Sequence, residues 1–363
     1  MGGARAWEAT VIERDATPRA AGADAARRPL VSVEGLHVRF TTRQASVDAV
    51  NGISFDLEPG RVLGILGESG SGKSVTLRAL IGLLPADRTR IEGSIKVAGH
   101  DITRMDEPAL RAVRGTKIAM IFQEPMTALD PVFTIGEQIA ETIVRHETLS
   151  HRAAYRRALE LLELVQIPSA ARRLKAYPHE MSGGMRQRAM IALALSCRPS
   201  VLLADEPTTA LDVTVQIQII LLLRQLQQKL GMAVIFVTHD VGVAAEVSDR
   251  LAVMYAGRFV ETGPTETLIE SPAHPYTAGL LASTVLGSAR GRRLETIPGM
   301  PPDLGALPPG CSFAARCRFA EARCHKVLPS EFALSATHAV RCLRVAAGEI
   351  AVARPSLSDR AVL

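Results

Sequence analysis

The sequence predicts an α/β fold built on a largely parallel sheet, with an inserted helical segment and a C-terminal extension that carries cysteines. Three observations lead there. Short apolar runs ending in turn residues alternate with helical patterns across residues 29–265, the arrangement of buried parallel strands joined by helical crossovers. Residues from about 130 to 185 lack such runs and read as mainly helical. Beyond residue 265 proline and glycine become frequent, as in "IPGMPPDLGALPPG", and four of the five cysteines follow in residues 266–345.

The elements follow in order. Residues 1–28 are low in aromatics and rich in Ala, Gly and Arg, the texture of a disordered lead. "LVSVEGLHVRF" (30–40) alternates apolar and polar residues as a half-buried strand does. "RVLGILG" (61–67) is a buried-strand candidate ending in glycine, and a helix is predicted from Lys73 to Leu84. "KIAMIFQ", "SVLLADE" and "MAVIFVTHD" are further buried-strand candidates, with helices predicted at "RQRAMIALALSC" and "VQIQIILLLRQLQQKL". Residues 346–363 read as a tail.

With 47% hydrophobic and 22% charged residues in 363, the composition is that of a globular protein of two domains, or one domain with additions. No uncharged apolar run approaches the ~18–20 residues of a membrane helix. Glu8, Glu13 and Asp15 occupy the place of a signal peptide's apolar core, which argues against export by that route. The net charge of +5 is concentrated: residues 288–344 hold nine Arg/Lys against four Asp/Glu. Such a segment could meet nucleic acid, anionic lipid or an acidic partner, or be a solvated basic face. Phe313, Phe319 and Phe332 are too scattered to serve as base-stacking platforms.

"GESGSGKS" (67–74) fits the phosphate-loop pattern G-x-x-x-x-G-K-[ST], between an apolar strand and a helix as that motif requires. Gly67, Gly70 and Gly72 let the backbone wrap phosphates with its N–H groups pointing inward. The candidate nucleotide cradle is Gly67, Ser69, Gly70, Ser71, Gly72, Lys73, Ser74 and Val75. Lys73 would bridge the β- and γ-phosphates, and the Ser74 hydroxyl is a hard oxygen for Mg²⁺. "SVLLADEP" (200–207) ends a strand in two carboxylates. Asp205 suits the Mg²⁺ shell and Glu206 suits a general base acting on water. A second anion cradle stands at "HEMSGGMRQR" (179–188), where Gly183 and Gly184 open a helix and leave backbone N–H groups free.

From about residue 30 to 265 these motifs resemble the nucleotide-binding subunits of ATP-binding cassette (ABC) transporters, which implies a P-loop NTPase core of the ABC ATPase type. "MSGGMRQR" is similar to the family's signature, Leu-Ser-Gly-Gly-Gln; Met181 and Met185 depart from it, while Ser182, Gly183 and Gly184 hold. The resemblance implies that Gln123 touches Mg²⁺ and water and that His239 contacts the γ-phosphate. By the same comparison "ALD" (210–212) lies at a dimer seam and Phe40 stacks on adenine. It also implies that Ser182 and Gly184 cap a γ-phosphate held by a partner ATPase, so the second cradle serves a dimer.

"GESGSGKSVT", "FQEPMTALDP", "SPAHPYTAGLL", "IPGMPPDL" and the cysteine tail are similar to the peptide and oligopeptide importer branch, and within it to the D-type ATPase. That implies a heterodimer with a related F-type ATPase, two transmembrane permeases and an external binding protein. The position implied is peripheral, at the cytoplasmic face of the inner membrane. Two alternatives stay open: nickel or another small solute as the cargo in place of peptides, and a non-transport ABC ATPase acting on DNA.

Cys311, Cys317, Cys324 and Cys342 form a C-x5-C-x6-C-x17-C pattern that matches neither zinc-ribbon pairs nor a ferredoxin run. Spacing alone leaves a zinc site, a [4Fe–4S] cluster and reduced cysteines in a packed tail all open. The resemblance implies the [4Fe–4S] cluster. Cys197, at the end of a helical pattern, reads as a core residue.

Overall fold

The structure is a computed structural model that describes residues 29–41, 46–209, 211–284 and 296–352. The expected disordered lead (1–28), Ala210 and most of the tail lie outside the described residues. In chain order the strands are β1 (Val31–Thr41), β2 (Ser46–Leu57), β3 (Val62–Leu66), β4 (Thr89–Val97), β5 (His100–Asp101) and β6 (Ile118–Ile121). They continue with β7 (Val201–Asp205), β8 (Ala233–Thr238), β9 (Arg250–Tyr255), β10 (Arg258–Pro264), β11 (Phe332–Ala333) and β12 (Ala339–Val340). The longer helices are α1 (Lys73–Leu80), α2 (Glu107–Val113), α3 (Ile135–His146) and α4 (His151–Leu164). After them come α5 (Gly183–Ala194), α6 (Val213–Leu230), α7 (Val241–Val247) and α8 (Pro275–Ala282).

The apolar runs become the centre of one sheet, ordered β11-β12-β10-β9-β3-β8-β7-β6 among the described residues. Strands β6, β7, β8, β3 and β9 are mutually parallel, as predicted. Every residue of β3, β6, β7 and β8 is buried, because helices cover both faces and leave no polar side to alternate with. The pleat still sorts side chains by parity. Leu63, Ile65, Val201 and Leu203 join the core around Leu77 and Leu80 of α1. Leu202, Ala204, Val234 and Phe236 join the core around α3, α4, α5 and α6.

The α/β expectation holds, with an addition. A second, antiparallel sheet of order β2-β1-β4-β5 packs against the α1 side. The alternation of "LVSVEGLHVRF" reflected this half-buried sheet; β2 has as large an apolar share but breaks the alternation at Ala49–Val50, and β4 is mostly polar. The helix predicted over 73–84 ends earlier, at Leu80. Gly82, at φ +67°, donates to Ala79 O and the Leu83 N–H reaches Arg78 O at 2.8 Å, a Schellman closure that a glycine in the left-handed region permits.

Beyond β10 the chain folds back on the core. β12 pairs with β10 through Glu261↔Val340 and Thr262↔Ala339, and β11 adds outside it. A third core gathers Tyr255, Tyr276 and Phe313. Glu261 is buried there, accepting from the N–H groups of Ala273 (2.7 Å) and His274 (2.9 Å) and lying 2.8 Å from His338 Nε2.

Candidate nucleotide site

Strand β3 ends at Leu66 and α1 starts at Lys73, so residues 67–72 turn the chain between them. Two of the glycines have no alternative. A Cβ on Gly67 would stand 2.3 Å from Met254 O, and one on Gly72, at φ +106°, would stand 2.4 Å from Ala49 O. The turn leaves the first N–H groups of α1 unpaired along the loop, the property that makes such an end an anion cradle.

Lys73 is buried, and its Nζ donates to Gly67 O and Glu68 O, each at 2.8 Å. Burial lowers its pKa, against the pull of Glu206, Asp205 and Glu68. The Ser71 hydroxyl is buried without a partner among the described residues, an orphaned polar atom of the kind a bound anion would satisfy. Ser69 and Gly70 are exposed on the loop, and Val75 is half-buried in the first turn of α1. Ser74 Oγ donates to Asp205 Oδ1 at 2.7 Å. Two hard oxygens therefore meet at the loop, a donor set that fits Mg²⁺. Burial raises the Asp205 pKa, opposed by the Ser74 hydrogen bond and by Arg78.

Parallel pairing delivers the remaining groups to the same end of the sheet. β8 lies between β3 and β7, so the residues following β3, β7 and β8 emerge side by side at the carboxyl ends, where open α/β sheets bind ligands. Glu206 follows β7 and donates its N–H to Val237 O of β8 at 3.0 Å. It takes φ +44°, a left-handed conformation that a non-glycine residue adopts at a cost. Its Oε2 lies 3.1 Å from His239 Nδ1, just past β8, and accepts from Thr209 Oγ1 at 3.0 Å. His239 is exposed. Gln123 follows β6, the neighbour of β7, and is also exposed.

Thr209 was not legible as a site residue. Its one sequence signal is its place three residues after Glu206, the offset at which a turn brings a hydroxyl back to a preceding side chain. Phe40 is half-buried near the end of β1, opposite Val47 and Thr89, and packs against the core shared by the two sheets. The signature residues make their contacts elsewhere. Ser182 caps α5 by accepting from Met185 N at 3.4 Å, while Gly183 and Gly184 face Leu211 and Val215 at the start of α6. Asp212 caps α6 through Val215 N; Ala210, beside it in the expected seam, lies outside the described residues.

The expectation of a [4Fe–4S] cluster or other metal at the tail cysteines is overturned. Cys311, Cys317, Cys324 and Cys342 line one cavity, yet among the described residues no group of three or more His, Cys, Asp or Glu is placed to hold a metal ion. The cavity walls include Phe313, Phe319 and Leu343. Burial pushes the Cys311 thiol pKa up to about 11 and raises that of Cys317 as well. All five cysteines are free, and Cys197 is buried as expected.

Comparison with known proteins accords with this geometry. The family described as ABC transporter matches residues 50–209, and the oligopeptide/dipeptide transporter C-terminal region matches residues 260–324. The dipeptide transport ATP-binding protein of Bacillus subtilis (strain 168) is 49% identical over 314 residues, 86% of this chain and 94% of its own length. A Brucella abortus (strain 2308) protein named for peptide import ATP binding is 50% identical over 330 residues, 88% of this chain and 98% of its own. Among solved structures, a dimeric ATP-binding cassette in a post-hydrolysis state with ADP and phosphate superposes with a TM-score of 0.58 at 28% identity. The match covers 65% of this chain and 98% of that one.

Proposed function

The chain belongs to the ATP-hydrolysing subunits of ABC transporters, and from that premise we propose that it powers the uptake of di- and oligopeptides across the cytoplasmic membrane. The observation that carries the cargo is the extent of likeness to a dipeptide transport ATP-binding protein, which runs through both the cassette and the C-terminal region.

ATP occupies the cradle of residues 67–75. Lys73 gives up the carbonyls of Gly67 and Glu68 for phosphate oxygens, and the Ser71 hydroxyl gains the acceptor it lacks. Ser74, Asp205 and Gln123 would hold Mg²⁺, which neutralises charge on the phosphate oxygens when bound. Glu206 accepts the proton of the attacking water, kept in place by Thr209, and His239 beside it contacts the γ-phosphate. The fixed positive groups stabilise charge on the transferred phosphoryl group, so catalysis rests on positioning. Phe40 stacks on adenine. Ser182, Gly183 and Gly184 cap the nucleotide of a second ATPase of the F type, and the pair seats on two permeases served by an external binding protein. No helix among the described residues is long and apolar enough to cross a membrane, which suits a peripheral subunit.

The test is reconstitution of the chain with its permeases and F-type ATPase in liposomes, with the cognate binding protein outside. Labelled di- or tripeptide should accumulate only with ATP and Mg²⁺. Nickel accumulation in place of peptide, or no peptide-stimulated hydrolysis, overturns the cargo; salt-sensitive DNA binding without transport overturns the importer.

A further inference from the structure

We propose that Arg316, in the C-terminal extension, is a positioning residue for the phosphate loop: it holds and neutralises Glu68 so that the loop accepts the phosphates of ATP. The inference rests on the ATP reading of residues 67–75 and assigns to the extension a part in it.

Glu68 is the residue after the first loop glycine, and it is held at three points. Its carbonyl accepts from Lys73 Nζ at 2.8 Å. Its N–H donates to the Tyr276 hydroxyl at 3.0 Å, from α8. Its carboxylate forms a two-pronged pair with Arg316, Nη1 to Oε2 at 2.7 Å and Nη2 to Oε1 at 3.1 Å. Two of these three holds therefore come from beyond β10, one of them from a residue 248 positions along the chain.

Arg316 itself is fixed. Its side chain is 6% exposed. Nε donates to Pro298 O, Nη1 also to Tyr255 Oη, and Nη2 also to Ile297 O, at 2.9, 3.3 and 3.4 Å. All five N–H donors of the guanidinium are thus directed at partners. The group also lies 5.8 Å from the Tyr255 ring centre and 6.0 Å from that of Phe313, within the range of cation–π attraction. The rigid planar fork matches a carboxylate where a lysine would not.

The charge arrangement explains the need. A carboxylate beside a phosphate cradle repels the ligand, and partial burial reduces its screening by water. Arg316 cancels that charge and fixes the loop backbone in the same contact. The extension also reaches the other sheet: Asp48 N–H of β2 donates to Leu304 O at 3.4 Å, next to Val47, the partner of Phe40. Residues 297–316 therefore touch both the phosphate loop and the hairpin carrying the adenine candidate.

The experiment measures binding of fluorescent mant-ATP with Mg²⁺ to the full chain. Binding by the unaltered chain, lost in Lys73→Ala, tests the ATP reading on its own. Arg316→Ala should raise Kd about tenfold, and Arg316→Lys about threefold. Adding Glu68→Gln to either variant should return Kd to within about twofold of the unaltered chain, since the unpaired carboxylate is gone. A merely structural arginine would show no such second-site rescue, and its loss would lower thermal stability alone. If Arg316→Ala does not fold, Arg316→Lys with and without Glu68→Gln decides the matter. Unaltered affinity in every folded Arg316 variant, or a loss that Glu68→Gln does not relieve, overturns the proposal.

Discussion

The carboxylate of Glu206 lies 3.1 Å from the imidazole of His239 although 33 residues separate them. Adjacent parallel strands produce the contact: β7 and β8 end together, and each passes its next residues to the same rim. Glu206→Gln keeps the shape and removes the base. Hydrolysis in the assembled complex should fall about 10²- to 10⁴-fold, with mant-ATP affinity held within about twofold. Turnover above a tenth of the original would remove Glu206 from the role of base.

Thr209 orients that carboxylate through one hydrogen bond. Thr209→Val keeps the volume and deletes the donor, so hydrolysis should drop about fivefold, the equivalent of one ordinary hydrogen bond. Steady-state assays should show the loss in kcat, leaving the KM for ATP unchanged.

The loop glycines should respond unequally to alanine. Gly72→Ala meets both a left-handed φ of +106° and the Ala49 carbonyl at 2.4 Å. It should cost upward of ~2 kcal/mol in urea unfolding. Gly70→Ala, at φ +77° with nothing within 4 Å, should cost only about 1 kcal/mol, the backbone penalty alone. Equal losses at the two positions would contradict the close approach at Gly72.

His274 makes stability depend on pH. Burial depresses its pKa to about 4, despite the nearby Glu261 carboxylate, and its Nδ1 must stay unprotonated to accept the Tyr276 N–H. The folded pKa lies below the unfolded one, so the unfolded chain takes up the proton first. This group's contribution is fully present above pH ~6.5 and is lost as pH falls toward 4, up to ~3 kcal/mol in all. Urea midpoints at pH 7 and pH 5 should differ in that direction, and His274→Asn, which keeps an acceptor, should flatten the difference.

Sequence reading reached furthest where chemistry is local. "GESGSGKS" and "SVLLADEP" carry their residue types in one stretch each, and the pairing of Ser74 with Asp205 follows once both strands enter one parallel sheet. The antiparallel sheet was half visible, because β1 alternates while β2 and β4 owe their place to pairing. Thr209 and Arg316 were not visible, since each acts only through contacts made after folding. The cysteine spacing misled for a related reason: crowding in sequence does not by itself set side chains around one ion, and among the described residues no group is placed to hold a metal.

The pairing of β10 with β12 bears on how the protein can be handled. Cutting the chain at the end of β10 would strip away Ala339 and Val340 and leave the backbone at Glu261 and Thr262 as a raw sheet edge, the kind of template on which chains self-associate. A minimal cassette made that way should precipitate on concentration, whereas the full chain should not.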